Sequence, residues 1–222
     1  MVKKDILILG HARSGTGYMA HLFNYFGAQI GHENYRENGI SSWLFVNIVN
    51  KTNISNLWGP SRRMQDEYKY IIQCVRDPIN AVRSIYLEHK MHPGVFKFRQ
   101  RIIKKWLNID IELIDNITSK PSTPEDRAVL SYIYWNEIIK QQNPIITVQV
   151  ENAVEPVKKF IDEYMNINKN DEENINKNLP SKKCNSRSRP KINWNNISEQ
   201  TMDKLNNWCK EYGYENVSDR IN

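Results

Sequence analysis

Residues 10–17, with the sequence GHARSGTG, have the composition of an anion-binding loop. They follow a short apolar run, Ile6–Leu9, and precede apolar residues at helical spacing. The glycines allow the backbone to curl around a phosphate, and the first N–H groups of a helix, together with its dipole, favour negative charge. Ser14 and Thr16 add hydroxyl donors, and Arg13 adds a positive charge. The segment therefore predicts a phosphate cradle between the first strand and the first helix.

This loop departs at two positions from the Walker A pattern, G-x-x-x-x-G-K-[ST]. Thr16 stands where that pattern requires lysine, and Gly17 stands where it requires the hydroxyl that binds Mg²⁺. The groups that hold a γ-phosphate and its metal are therefore missing, which favours a nucleotide with a 5′-phosphate and no γ-phosphate. A P-loop kinase of small molecules stays open as an alternative, and so does a glycine turn without a ligand.

A second candidate phosphate site follows the apolar strand at residues 70–75, where the chain continues as RDP from Arg76. Arg76 is expected at the carboxyl edge of the sheet, where open α/β folds bind ligands, and its guanidinium can bind a phosphate through paired hydrogen bonds. Ser84 follows eight residues later, in a helix that Pro78 is suited to start, and can reach the same phosphate. Taken alone, RDP also fits a simple helix start with an Arg–Asp pair.

Short apolar segments alternate with amphipathic segments along the rest of the chain. Strands are expected at 5–9, 28–31, 70–75 and 144–150, and helices at 18–26, 43–49, 80–91, 122–142, 155–165 and 198–212, with a further cationic amphipathic stretch at 95–117. This alternation predicts a three-layer α/β/α fold with a central, mostly parallel sheet. The length fits a single domain over residues 1–222, and the polar composition near 166–190 predicts a mobile loop.

Composition restricts the partners and the compartment. The net charge of +6 favours an anionic partner, although a generally basic proteome would give the same value. No aromatic–basic recognition motif indicates nucleic acid, but a non-catalytic polyanion-binding protein stays open as an alternative. The three cysteines have no zinc or disulfide spacing, so a reducing, cytoplasmic location is expected. No apolar run predicts a membrane span or a signal peptide.

Two motifs resemble those of sulfotransferases that use 3′-phosphoadenosine-5′-phosphosulfate (PAPS). Residues 10–19, GHARSGTGYM, resemble the family's 5′-phosphosulfate loop, G-x-x-[RK]-S-G-T-[ST], except that Gly17 replaces the usual hydroxyl residue. Residues 75–86, VRDPINAVRSIY, resemble its 3′-phosphate motif, and QVEN at 149–152 resembles a strand that ends in E-[DN]. The resemblance implies a P-loop NTPase-like fold, transfer of a sulfuryl group from PAPS to a hydroxyl or amine, PAP as product and no metal.

The resemblance also implies which residues bind the donor. From the two motifs these are Arg13, Ser14, Gly15, Thr16, Gly17, Tyr18, Arg76 and Ser84. The basic segment 181–190, SKKCNSRSRP, weakly resembles a late segment that closes over PAPS, which makes Arg187 a further candidate at the 3′-phosphate. A solvated cationic loop fits that segment equally well.

Residues 31–43, GHENYRENGISSW, follow the second predicted strand and are therefore expected at the same sheet edge as the first loop. They resemble the Gly-x-Glu segment of tyrosylprotein sulfotransferases, in which a glutamate is the general base. Glu33 is the first candidate for that role, and His32 is the alternative because other branches use a histidine, whose ordinary pKa suits the task. The resemblance assigns Arg13 to the charge on the bridging oxygen. Neither the acceptor, for which a glycan or a peptide is an option, nor the oligomeric state is predicted.

Overall fold

Strands and helices alternate through the part of the chain that the computed structural model describes, residues 4–44, 68–115, 119–165, 179–181 and 191–221. The strands are β1 (Lys4–Leu9), β2 (Ile30–His32), β3 (Gly39–Ser42), β4 (Tyr68–Val75), β5 (Leu113–Asp115), β6 (Lys120–Pro121) and β7 (Ile146–Gln149). The helices are α1 (Thr16–Tyr25), α2 (Pro78–Met91), α3 (Pro93–Leu107), α4 (Pro124–Lys140), α5 (Val154–Tyr164) and α6 (Glu199–Glu211). Within these ranges no helix has both the length and the apolar composition that crossing a bilayer requires.

Five strands form one parallel sheet in the order β2-β3-β1-β4-β7. Leu9, at the end of β1, lies opposite Ser42 of β3 and opposite Gln73 of β4. The chain leaves β1 through α1 toward β2 on one side, whereas it leaves β4 toward β7 on the other side. The neighbouring carboxyl ends of β1 and β4 therefore form a topological switch point, where open α/β sheets bind ligands. The predicted α/β class with a central parallel sheet is confirmed.

The apolar composition of β1 explains its central position. Residues Ile6–Leu9 are fully buried, as expected for a parallel strand that is covered on both faces. Phe23 of α1 and Phe160 of α5 belong to the same core, and their ring centroids lie 6.0 Å apart. The loop after β1 therefore starts from a fully buried strand segment.

The chain divides into two compact units. The first comprises residues 1–76 and 139–186 and contains the whole parallel sheet with α1 and α5. The second comprises residues 77–138 and 187–222 and contains α2, α3, most of α4, the antiparallel pair β5–β6, and α6. The single domain over residues 1–222 stays a prediction.

In the second unit, Asp126 joins the N-termini of α4 and α6. Its carboxylate accepts hydrogen bonds from the backbone N–H groups of Thr123, at 3.0 Å, and Ser198, at 2.9 Å. Thr123 Oγ1 accepts the N–H of Asp126 in return, and Ser198 Oγ accepts the N–H of Thr201. The hydroxyls of Thr123 and Ser198 thus cap the two helices.

The structure differs from the predicted elements at several places. The second strand runs from Ile30 to His32, so it begins two residues later and ends one residue later than predicted. Residues 39–42 form β3, which the sequence does not indicate because GISS is short and mostly small or polar. The stretch 95–117 is helical only to Leu107, since Asn108 takes a left-handed conformation with φ 56° and ends the helix. Most of the predicted helix 43–49 and of the predicted loop 166–190 lies outside the described residues.

Candidate anion-binding site

The loop after β1 needs glycine at two positions because neighbouring atoms approach it closely. A Cβ atom at Gly10 would collide with Sγ and with the carbonyl oxygen of Cys74 on β4. Gly15 has a φ of 88°, in the left-handed region, and a Cβ there would lie 3.0 Å from Cγ1 of Val150. Burial raises the pKa of Cys74 to about 12, so the thiol stays protonated and its role is packing. The loop is thus fixed between β4 and the residues that follow β7.

The first turn of α1 presents backbone donors without a capping side chain. The helix begins at Thr16 after Gly15, and its first turn contains no acidic residue. The Gly15 carbonyl accepts the N–H of Met19 at 3.0 Å, so the N–H groups before Met19 have no intrahelical acceptor at i−4. Ser14 Oγ is fully buried and forms no hydrogen bond with a described residue. A buried hydroxyl in that state costs about 1–3 kcal/mol, which a bound anion would offset.

Arg76, the first residue of the RDP sequence, contacts this loop. It follows β4 directly, and its Nη1 donates a hydrogen bond of 3.0 Å to the carbonyl oxygen of Arg13. The guanidinium of Arg76 is therefore hydrogen-bonded to the loop backbone at the switch point between β1 and β4. The side chain of Arg13 is half-buried and forms no ion pair with a described residue. The two predicted phosphate-binding motifs thus meet, and both contribute an arginine.

His32 and Glu33, at the carboxyl end of β2, form a hydrogen-bonded cluster with β3 and α1. Glu33 Oε2 accepts a hydrogen bond from Ser42 Oγ at 2.6 Å, and Glu33 Oε1 accepts one from the N–H of Trp43 at 3.1 Å. His32 Nε2 lies 3.2 Å from Thr16 Oγ1 and 3.6 Å from Glu33 Oε1. The side chains of His32 and Glu33 are 39% and 31% exposed, so both are accessible from solvent. One imidazole therefore links the candidate carboxylate base to the first residue of α1.

The backbone of Glu33 is strained, with a φ of 57°. A left-handed conformation costs a residue other than glycine roughly 1–2 kcal/mol, and such strain clusters at functional sites. The Glu33 N–H donates to the Ser41 carbonyl at 3.1 Å, and Ser41 Oγ donates to the Thr16 carbonyl at 2.7 Å. Strand β3 therefore fixes both Glu33 and the start of α1. The sequence gives little signal for Ser41 and Ser42 beyond two adjacent hydroxyl residues before a tryptophan.

Gly17 lies beside His32 in this cluster. A Cβ atom at Gly17 would lie 3.5 Å from Cε1 of His32, an ordinary van der Waals distance. The position therefore has room for a small side chain, in contrast to Gly15. Gly17 stands where the sulfotransferase pattern has a hydroxyl residue. The local packing does not require a glycine at this position.

The remaining predicted site residues are Tyr18, Ser84 and Arg187. The side chain of Tyr18 is 4% exposed and packs into the hydrophobic core of the first unit. Ser84 is half-buried on α2 in the second unit, and Arg187 lies outside the described residues. Asp77 of the RDP sequence accepts a hydrogen bond of 2.8 Å from Arg220 Nη1, which raises the pKa of Arg220 above its ordinary value. The sequence offers no signal for this ion pair.

These residues can together bind an anion and accept a proton nearby. Backbone N–H groups, hydroxyls and two arginines line the loop, and a carboxylate and an imidazole adjoin it. In the described ranges, no cluster of three or more His, Cys, Asp or Glu side chains could hold a metal ion. Comparisons with protein-family models, with curated proteins and with solved structures found no match to this chain.

Proposed function

We propose that the chain is a sulfotransferase that uses PAPS and transfers the sulfuryl group to a hydroxyl or amine of an acceptor. The observation that carries the proposal is the hydrogen bond between Arg76 Nη1 and the Arg13 carbonyl oxygen. It joins the motif that resembles a 5′-phosphosulfate loop to the motif that resembles a 3′-phosphate site. A nucleotide with phosphates at both positions needs two such elements side by side.

The loop residues fit a 5′-phosphosulfate. Ser14 offers a buried hydroxyl, Gly15 allows close backbone approach, and α1 offers its first N–H groups. The residues proposed to hold the donor are Arg13, Ser14, Gly15, Thr16, Gly17, Tyr18 and Arg76, with Ser84 and Arg187 as candidates from the resemblance alone. When bound, PAPS supplies the sulfuryl group, whose bond to the bridging phosphate oxygen breaks as the acceptor oxygen or nitrogen bonds to sulfur, so that PAP leaves.

Phosphoryl transfer from ATP is the less favoured function. A P-loop kinase needs a lysine ammonium beside the β- and γ-phosphates. Position 16 instead carries a threonine whose Oγ1 lies 3.2 Å from His32 Nε2. The side chain that follows Gly15 is thus engaged with the imidazole of His32 and carries no charge.

Glu33 is proposed as the base that accepts the proton of the acceptor, with His32 as the alternative. Each Glu33 oxygen already accepts one hydrogen bond, from Ser42 Oγ or from the Trp43 N–H. A carboxylate has about four acceptor positions, so Glu33 is oriented and still able to take a proton. Arg13 is proposed to stabilise the charge that develops on the bridging oxygen, because positive charge there lowers the barrier.

The nucleotide preference tests this proposal. Thermal unfolding of the chain is measured with PAP, with AMP, with ATP plus Mg²⁺ and with duplex DNA. A ligand at 100 times its dissociation constant stabilises by about 2.7 kcal/mol. We expect that stabilisation with PAP, a smaller one with AMP, which lacks the 3′-phosphate, and none with DNA. No response to PAP, or an equal response to ATP plus Mg²⁺, would contradict the proposal.

Activity needs an acceptor screen. The chain is incubated with PAPS labelled in its sulfuryl group and with glycans, tyrosine-containing peptides, small alcohols and amines in separate reactions. Label should transfer to one class, and an Arg76→Ala variant should transfer less label to that class at the same low PAPS concentration. PAP binding without transfer to any of them would point instead to a nucleotide-binding protein that lacks catalysis.

A further inference from the structure

A cavity of about 350 Å³ lies in the second unit. It is formed by the second half of α2, the start of α3 and the start of α4. Its volume is at the lower end of the range of about 300–1,000 Å³ that small-molecule sites occupy. The residues of the proposed transfer reaction do not line this cavity, so it is a separate candidate binding site.

Rings form most of the cavity wall. Tyr86 and Phe96 contribute aromatic rings, and the two prolines that begin α3 and α4 contribute apolar surface. The imidazole of His89 packs against Phe96 with ring centroids 4.9 Å apart, and the guanidinium carbon of Arg127 lies 5.7 Å from the Phe96 ring centroid. Flat walls of this composition favour a planar, aromatic ligand.

The charged side chains that line the cavity are both cationic. They are Lys90 and Arg127, and neither forms an ion pair with a described residue. Arg127 donates only a long hydrogen bond of 3.4 Å to the Ser122 carbonyl, and its buried Nε has no acceptor among the described residues. Two cations without carboxylates in one concave site favour an anion.

The acidic residues of the neighbouring turns have other partners. Glu88 pairs with the fully buried Arg99, with 2.5 Å between Oε2 and Nη2. Glu125 accepts hydrogen bonds from Asn196 Nδ2, at 3.2 Å, and from the hydroxyl of Tyr86. Glu88 is thus neutralised by Arg99, whereas Glu125 keeps its negative charge behind Tyr86. The two cations that line the cavity together still leave it with a net positive charge.

Arg99 also determines which nitrogen of His89 carries the proton. Arg99 Nη1 lies 3.3 Å from His89 Nε2, and a guanidinium can only donate, so we assign the proton to Nδ1. Burial, followed by the charges of Arg99 and Arg127, lowers the pKa of His89 to about 3, so the ring is neutral at physiological pH. The buried Nδ1 has no hydrogen-bond partner among the described residues. His89 therefore adds neither a positive nor a negative charge to the cavity wall.

We infer that this cavity binds a small aromatic carboxylate. Its ring would lie against Phe96 and Tyr86, and its carboxylate would pair with Arg127 and Lys90. The aromatic walls account for the ring, and the two cations that line the cavity account for the carboxylate. Binding at this cavity does not depend on the proposed transfer reaction.

Titrations of the full chain with four probes test the inference. The probes are benzoate, benzamide, acetate and inorganic phosphate, and ligand-observed NMR gives their dissociation constants. Benzoate should bind saturably at one site. Benzamide lacks the charge, and acetate and phosphate lack the ring, so each should bind at least roughly tenfold more weakly. No saturable binding of benzoate, or equally tight binding of any other probe, would overturn the inference.

Three variants locate the benzoate site. Arg127→Gln should weaken benzoate binding roughly tenfold, and Lys90→Gln should weaken it several-fold, because each removes one charged contact. Lys97→Gln is the matched control, since Lys97 is exposed on α3 and does not line the cavity. If Arg127→Gln does not fold, Lys90→Gln at its exposed position decides alone. Wild-type benzoate affinity in the folded cavity variants, or an equal loss in Lys97→Gln, would overturn the assignment.

Discussion

The Nη1 atom of Arg76 donates a hydrogen bond to the carbonyl oxygen of Arg13, and the two residues are 63 positions apart in the chain. They meet because β1 and β4 pair in parallel, so that Leu9 lies opposite Gln73 and both strands end at the same edge. A side chain that follows β4 by one residue can therefore reach the loop that follows β1. The contact turns two separate sequence motifs into one candidate site, and it can be removed by a single substitution.

Arg76→Ala should weaken PAP binding by roughly 10- to 100-fold. The substitution removes a charged donor, and a hydrogen bond that involves a charged group contributes about 1.5–3 kcal/mol. Arg76→Lys should recover only part of the affinity, because an ammonium cannot contact a carbonyl and a phosphate with the planar geometry of a guanidinium. Calorimetric titration with PAP measures each dissociation constant.

Lys69→Gln is the matched control for Arg76→Ala. Lys69 lies on the same strand, near its amino end, and is exposed. It should leave the PAP dissociation constant unchanged. If Arg76→Ala bound PAP as tightly as the wild type, the RDP sequence would be only a helix start, as its common occurrence allows.

Gly15 and Gly17 should respond differently to alanine. Gly15→Ala places a Cβ 3.0 Å from Val150 at a φ of 88°, so the free energy of unfolding should fall by about 1–3 kcal/mol. Gly17→Ala meets only an ordinary contact with His32, 3.5 Å away, and should leave stability unchanged or raise it by up to about 1 kcal/mol. Urea unfolding monitored by tryptophan fluorescence compares the two variants.

Gly17→Ser extends the comparison from stability to binding. It introduces the hydroxyl of the sulfotransferase pattern where the packing has room, so PAP should bind more tightly than to the wild type. Unchanged PAP affinity together with unchanged stability would indicate that Gly17 does not contact the 5′-phosphate. Equal destabilisation by alanine at both glycines would contradict the described packing.

Local sequence predicted the elements that local forces determine. The buried strand at Ile6–Leu9 and the glycine loop that follows it depend on neighbouring residues and were predicted. Strand β3 was not predicted. Ser41 and Ser42 are buried because β3 pairs with β1 and β2, and a four-residue strand shows no periodicity that would indicate this pairing. The ion pair of Asp77 with Arg220 joins residues 143 positions apart and leaves no local pattern.

The candidate site was predicted to a similar extent and for the same reason. The sequence motifs indicated that Arg13, Arg76, His32 and Glu33 follow strands whose carboxyl ends share one sheet edge, because a motif records which groups are present. The hydrogen bonds that orient Glu33 come from Ser42 and Trp43 and depend on β3. Orientation is therefore the part of the site that required the structure.

Glu33→Gln should lower the rate of sulfuryl transfer by roughly 10²- to 10⁴-fold, the usual effect of removing a general base. The amide is similar in size to the carboxylate and can still accept the hydrogen bond of Ser42. The PAP dissociation constant should therefore stay within about twofold of the wild-type value. His32→Gln should reduce transfer less, because the carboxylate remains. Single-turnover rates with the acceptor found by screening, and PAP titrations of the same samples, give both quantities. A larger loss of rate in His32→Gln would assign the base to His32.

Asp126→Asn should destabilise the protein at neutral pH and much less in acid. Burial alone would raise the pKa of Asp126, but hydrogen bonds from Thr123, Ser198 and Thr201 outweigh it and hold the pKa below the ordinary value of 3.8. The unfolded chain therefore takes up the proton at a higher pH than the folded chain does. The stability that this carboxylate contributes is complete well above pH 3.8, and it is lost as the pH falls through the folded-state pKa.

Urea unfolding at pH 7 and at pH 3 measures this difference. At pH 7 the free energy of unfolding of Asp126→Asn should be lower than that of the wild type by about 1–3 kcal/mol, because charged hydrogen bonds at two helix N-termini are lost. At pH 3, below the ordinary value of 3.8, the carboxyl of the unfolded chain is mostly protonated, so the difference should shrink. Asp203→Asn, at an exposed position of α6, should change stability by less than about 0.5 kcal/mol at either pH. A difference for Asp126→Asn that is equally large at both pH values would show that its effect comes from packing and not from the charge that joins α4 to α6.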